Sequence, residues 1–213
     1  MAICFTLQNI SGRLRLGLLC CVVALPTFGA ANFVRVPLGK NASIEVPNHW
    51  VVLSGNHRTT IEAFVEAKGY RPIESTLTFA ANLYDDRGKT LALVNAHFYP
   101  DNPITQAEAR QVTPSDLKEI DVEMRNVAEA PLRAMGVRML HWYGSRMQVI
   151  NGSYVLVHEH QHSGAGDAGV TRVRALRVWR SPHSFTVTLS YRERDSVMLL
   201  PIIDYMTNSL RQE

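Results

Sequence analysis

Cysteine is almost missing from this chain, and its placement excludes more than its scarcity does. Of 213 residues only Cys4, Cys20 and Cys21 are cysteine, and all three fall within the first 31 positions. From residue 32 onward there is no disulfide and no thiol nucleophile, so the core there must hold by packing alone. A long apolar run is also lacking. Leu16 to Leu25 carries no charge, yet it is about half the ~20 residues that a membrane-spanning helix requires. Charge of one sign is not in excess: 22 Lys and Arg stand against 19 Asp and Glu. Without Arg13 and Arg15 the 22 become 20, a balance that attracts neither nucleic acid nor an anionic membrane. The pattern Gly-x-Ser-x-Gly is absent, and no glycine-rich loop joins a strand to a helix. Neither a nucleophile elbow nor a phosphate loop is indicated. No repeat, low-complexity stretch or linker divides the chain.

What is present begins with the N-terminus. Arg13 and Arg15 precede the apolar run, and Pro26, Gly29, Ala30 and Ala31 follow it. Basic, apolar and small, in that order, is the pattern of a secretory signal peptide. Residues 1–31 are therefore expected to be a signal peptide, removed after Gly29 or Ala31. The product would be one domain, 32–213, in the periplasm or secreted, without stable membrane insertion. A retained anchor is the alternative, disfavoured by the short run. A lipid on Cys20 is disfavoured by the bulky Leu18 and Leu19 before it. Hydrophobic residues at 46% and charged residues at 19% suit a globular chain with a real core.

The rest reads as strands with two or three helices. Phe33 to Leu38, Ser43 to Val46 and Trp50 to Leu53 are β-prone. Asn56 is placed to cap a short helix with Ile61, Phe64 and Val65 on one face, closed by Gly69. Thr76 to Tyr84 and Thr90 to Tyr99 flank the turn Asp85-Asp86-Arg87-Gly88. Thr113-Pro114-Ser115-Asp116 opens a helix: a capping hydroxyl, a proline at the first helical position and an acid near the positive end of the dipole. Leu117, Ile120, Met124 and Val127 follow on one face, and Pro131 and Gly136 are expected to end it. Val137 to Tyr143, Met147 to Ile150, Ser153 to about His162, Val170 to Trp179 and Ser184 to Tyr191 form a meander. Asn151-Gly152 and Ser181-Pro182 are its turns. Asp195 to Leu210 closes the chain as an amphipathic helix. This order gives an α+β layer architecture.

The ionisable residues concentrate at His158-Glu159-His160-Gln161-His162. As a string it matches the zinc-peptidase pattern His-Glu-x-x-His, which needs a helix so that residues four apart share an ion. The flanks oppose a helix: Tyr154 to Val157 is β-prone, and Gly164, Gly166 and Gly169 follow. On a strand His158, His160 and His162 share one face, with neighbours ~7 Å apart and the outer pair ~13 Å apart. These three are the candidate metal ligands, for Zn²⁺ or Cu²⁺, with His97 or His141 to complete the set. The simplest reading is a solvated hairpin end running into a glycine-rich loop, with no ligand. Asp85 and Asp86 are turn residues before they are a carboxylate pair. Arg172, Arg174, Arg177, Arg180, Arg192 and Arg194 form a basic set; Arg172 and Arg174 share a strand face, either solvated or meeting an acidic partner. Trp50, Trp142, Trp179, Tyr143 and Tyr191 are expected to pack rather than to form a cage.

Several segments together resemble a known superfamily. Ile44-Glu45-Val46-Pro47 with Trp50 opens the domain, and the hairpin Leu77 to Leu83, Leu91 to Phe98 follows. Then come Gly152-Ser153-Tyr154-Val155-Leu156 and Thr186 to Glu193. Leu200-Pro201-Ile202-Ile203-Asp204 and Ser209-Leu210-Arg211 close the chain. Over roughly 33–211 the chain resembles the PsbP-like superfamily, which includes a photosystem oxygen-evolving subunit, a Ran-binding transport factor and bacterial DcrB-type envelope proteins. The resemblance implies an α/β/α sandwich around a central antiparallel sheet. It implies a protein that binds or assists assembly, with an envelope protein as partner. It supplies no catalytic residue and no cofactor. The histidine-rich strand departs from the family pattern. The expectation is an exported, non-catalytic binding or assembly module. A metal-binding protein or zinc hydrolase built on His158 to His162, and a periplasmic immunity-type protein, are the alternatives.

Overall fold

The computed structural model describes residues 32–39, 41–60, 75–164 and 169–212. Strands β1 (Phe33–Gly39) and β2 (Ala42–Pro47) pair antiparallel. The two-residue strand β10 (Arg211–Gln212) joins the other edge of β2, so a small sheet runs β1-β2-β10. β3 (Val51–Val52) starts a second, larger sheet. Residues 55–60 are helical, and the cap is Ser54, whose Oγ accepts from the His57 N–H at 3.4 Å. Asn56, the expected cap, stands inside the helix. A serine hydroxyl two positions earlier already satisfies the open N–H. Ile61, Phe64, Val65 and Gly69 lie outside the described residues.

The hairpin of β4 (Thr76–Tyr84) and β5 (Thr90–Tyr99) forms as its turn residues dictate. Asp85 Oδ1 accepts from the N–H of Arg87 at 3.0 Å and of Lys89 at 2.8 Å, and Gly88 takes φ 74°. Helix α1 (Gln106–Arg110) was not anticipated, although Thr105 and Glu108 make a reciprocal capping box. Helix α2 (Pro114–Ala134) begins at Thr113, whose hydroxyl and N–H exchange hydrogen bonds with Asp116. It does not stop at Pro131 but passes through it to Ala134. A Schellman closure holds that last turn: Val137 N–H donates to Leu132 O at 2.8 Å and Gly136 N–H to Arg133 O at 3.1 Å. Gly136 supplies the required φ of 69°.

The two pieces expected around Gly144 are one strand, β6 (Met139–Ile150). β7 (Ser153–Ser163), β8 (Val170–Arg180) and β9 (His183–Arg192) complete the meander, with Asn151 and Gly152 both at positive φ in the first turn. Helix α3 (Ser196–Ser209) follows a single 3₁₀ turn.

The large sheet is antiparallel in the order β3-β4-β5-β9-β8-β7-β6. After β5 the chain therefore crosses to the far edge through α1 and α2, then returns strand by strand until β9 closes on β5. One face of the sheet, with Val155, Val157, Leu176, Phe185, Val187 and Leu189, is buried against Ile44 and Val46 of β2 and Leu199, Ile203 and Met206 of α3. Each such side chain contributes roughly 1.5–3 kcal/mol by leaving water. The other face carries a smaller cluster in which Ala109 and Met124 of α1 and α2 meet Leu156 and Trp179. Helices lie on both faces, as the sandwich requires, with the three-stranded sheet added beside α3. Among the described residues no helix is long and apolar enough to cross a membrane.

Candidate functional site

The strand period divides the cluster on β7. Val155, Val157 and Glu159 turn toward the main core, while Leu156, His158, His160 and His162 turn toward α2. Trp142 stands opposite His160 on β6, and its indole N–H donates to Asp121 Oδ1 of α2 at 3.0 Å. That bond fastens the helix over the histidines. The rings form a ladder. Trp142 lies 5.5 Å from His158 and 6.1 Å from His160, His158 lies 6.5 Å from His160, and His160 lies 5.9 Å from His162.

The histidines are not a solvated hairpin end. His160 is only 6% exposed, and Nδ1 of both His158 and His160 is buried without a hydrogen-bond partner. Desolvation has the expected consequence. Burial, reinforced by the Arg177 charge, pushes His158 down to about 4. Burial, then His158 and His162, push His160 down to about 3. Both rings are neutral at pH 7. His162 differs: its Nδ1 donates to the Ser163 carbonyl at 2.8 Å.

Glu159 is on the opposite face. Its carboxylate accepts from Arg146 at 2.8 Å, Arg172 at 3.1 Å and Arg174 at 3.2 Å, and Arg174 continues to Asp204 of α3 at 2.6 Å. Arg172 also lies over the Tyr143 ring at 3.6 Å. Arg172 and Arg174 thus meet an acid of their own chain. The string His-Glu-x-x-His stands on a strand with its glutamate held away from the imidazoles, so the peptidase geometry does not form. His141 is paired with Tyr143 at 4.2 Å. His97 is on β5, three strands from β7, or ~14 Å. Among the described residues no three His, Cys, Asp or Glu side chains converge as a metal would require.

What does form is a cleft of ≈ 460 Å³ between α2 and the sheet, within the size range of small-ligand sites. His158, His160 and His162 lie on its floor with Asn95 of β5, Ala175 and Arg177 of β8, and Thr186, Thr188 and Ser190 of β9. Met124, Val127, Leu132 and Met135 form the helical wall. Asn95 and Thr188 were not singled out from the sequence, because a polar residue on a strand signals nothing until the face it joins is known. Arg177 carried a readable signal. Its position is odd where Arg172 and Arg174 are even, and it faces the cleft while Arg174 faces Glu159.

No family model matches the chain, and no curated protein matches it. Solved structures do. The cyanobacterial PsbP (CyanoP) from Synechocystis sp. PCC 6803 aligns over 90% of this chain and 99% of its own, at 12% identity, with a TM-score of 0.52. The chain has the PsbP-like fold. PA94 of Pseudomonas aeruginosa, a protein of unknown function described as a putative regulator, aligns over 85% of this chain at 12% identity and a TM-score of 0.43. LpqN of Mycobacterium tuberculosis, involved in cell envelope biogenesis, aligns over 84% at 11% identity and 0.41.

Proposed function

We propose that this chain is an exported, non-catalytic binding module of the bacterial envelope and that the cleft under α2 is its binding element. The observation that carries the reading is His160, almost fully buried, with an unpaired Nδ1 in a cleft large enough for a ligand. An orphaned buried polar atom costs about 1–3 kcal/mol, which a ligand's hydrogen bond recovers. Imidazoles titrating near 3 and 4 are weak bases at neutral pH, far from the value that proton transfer favours. Export rests on residues 1–31, and an assembly role with an envelope partner accords with a module that binds rather than reacts.

The test is native mass spectrometry of the protein isolated gently from an envelope fraction. A small-molecule adduct is expected, and it should be lost in Ala128→Trp, which fills the cleft from the helix side. Bare chain in both, with the same thermal unfolding when envelope extract is added, would sink the reading.

The two unpaired nitrogens carry a second reading, a Zn²⁺ or Cu²⁺ site on His158 and His160. Their rings are 15° from parallel, so one must turn to share an ion. Equilibrium titration should give one ion per chain, lost in His160→Ala. Uptake no greater than that of a His158→Ala/His160→Ala double variant retires it.

A further inference from the structure

The charge of the cleft is one-sided. Arg177 reaches its floor, yet among the described residues no carboxylate and no hydrogen bond engages the guanidinium, and its Nε is buried and unpaired. Its contact is the Tyr99 ring, 5.4 Å from Cζ. Arg172 and Arg174 on the other face both have Glu159. No Asp or Glu among the described residues lines the cleft, and Asp121, whose charge acts on His158, is engaged by Trp142. A half-buried cation without a counter-charge is unfavourable unless something supplies one.

The polar neighbours point the same way. Thr186 is opposite Arg177 in register, and Thr188 lies between Ala175 and Asn95. Their hydroxyls can donate within one patch of floor, where the buried Asn95 Oδ1 also lies without a partner. The helical wall is the reverse: Val127 is 41% and Met135 43% exposed, large apolar side chains left facing the cleft. Among the described residues lining this surface Arg177 is the single arginine or lysine, which matches one negative charge rather than two.

We propose that the cleft binds a carboxylate carrying an apolar body, with the carboxylate on Arg177 and the Thr186 and Thr188 hydroxyls and the body against Val127 and Met135. This rests on the binding-module reading and specifies its ligand.

Two sources share that chemistry, an aliphatic acid and the free C-terminus of an apolar peptide. Trp142, stacked on His158 and His160, reports on the site by fluorescence. The probes are decanoate below its micellar concentration, decanol, acetate, N-acetyl-Leu-Phe and its C-terminal amide, each titrated into the purified protein with chelator present and checked by calorimetry. Saturable binding of decanoate or of the free peptide acid is expected, whichever is tighter naming the source. Decanol, acetate and the amide should bind at least tenfold more weakly.

Arg177→Gln should weaken the acids ten- to hundredfold and leave decanol unchanged. Arg177→Lys, which keeps the charge, should recover part of the loss and guards against a folding artefact. Val127→Gln should weaken decanoate and decanol together. Equal binding of acid and alcohol, or an Arg177→Gln variant that holds decanoate as tightly as wild type, overturns the carboxylate assignment and leaves the binding module standing. Failure of every probe, while an envelope adduct is still found, overturns it as well. Failure of every probe with no adduct removes both readings.

Discussion

Glu159 joins three arginines, Arg146 of β6 and Arg172 and Arg174 of β8, at a point where only 6% of its surface is exposed. Burial raises its pKa, but the Arg146 hydrogen bond, the Arg174 charge and the Arg172 hydrogen bond outweigh it and hold the carboxyl below its usual 4.5. Glu159→Ala leaves three guanidiniums without their shared partner. We expect a loss of about 3–5 kcal/mol in denaturant unfolding at pH 7. The stabilisation is complete above 4.5 and disappears as pH falls through the lowered value.

His158 and His160 act in a higher window. Their pKa values in the fold, about 4 and about 3, lie below the unfolded 6.5, so the unfolded chain binds more protons and stability falls on acidification below 6.5. Between pH 6.5 and 5 each contributes a loss of up to about 2 kcal/mol, and His160→Phe should flatten that slope. A slope unchanged in the variant would remove the histidines as its source. That His158, His160 and His162 share a face was legible from alternation alone. Their burial was not, because a strand's pattern does not say what covers it.

At the scale of elements, α2 is the piece on which the cleft depends. Its start was legible because Thr113, Pro114 and Asp116 act within one turn. Thr113→Ala should cost about 1 kcal/mol, read by thermal unfolding, with Asp116→Ala similar and the double variant less than additive. Its end was legible at Gly136, which closes it, and misread at Pro131, which does not. Pro131 opposes a helix locally, yet the closure at Gly136 and the burial of Leu132 carry the helix past it. β6 shows the same conflict. Gly144-Ser145-Arg146 reads as a break, but φ 93° at Gly144 places a bulge there and pairing with β7 continues on both sides. An added Cβ would meet Asp121 Oδ1 at an ordinary 3.8 Å. Gly144→Ala should therefore cost about 1–2 kcal/mol from backbone conformation alone, and a much larger loss would mean that the bulge also positions α2.

For the whole molecule the expected outcome concerns residues 1–31. Expressed in a secreting bacterium, the chain should be recovered with an N-terminus at Ala30 or Asn32 and no thiol titre, since Cys4, Cys20 and Cys21 all precede that point. Mass spectrometry of the recovered protein checks both at once, and an intact N-terminus would count against export. By itself the sequence determined the elements whose cause is local: the Asp85 to Gly88 and Asn151-Gly152 turns, the cap of α2, and the alternation along β7 and β8. It also determined that Arg177 and Arg174 point to opposite faces, because a strand's period of two admits nothing else. Only the tertiary structure decided which face lies beneath α2, that Glu159 answers Arg172 and Arg174, and that Arg177 meets no carboxylate among the described residues. Those outcomes follow from the crossover after β5, which carries α2 over one side of strands formed later in the chain, and contacts between distant segments are set by packing rather than by local pattern.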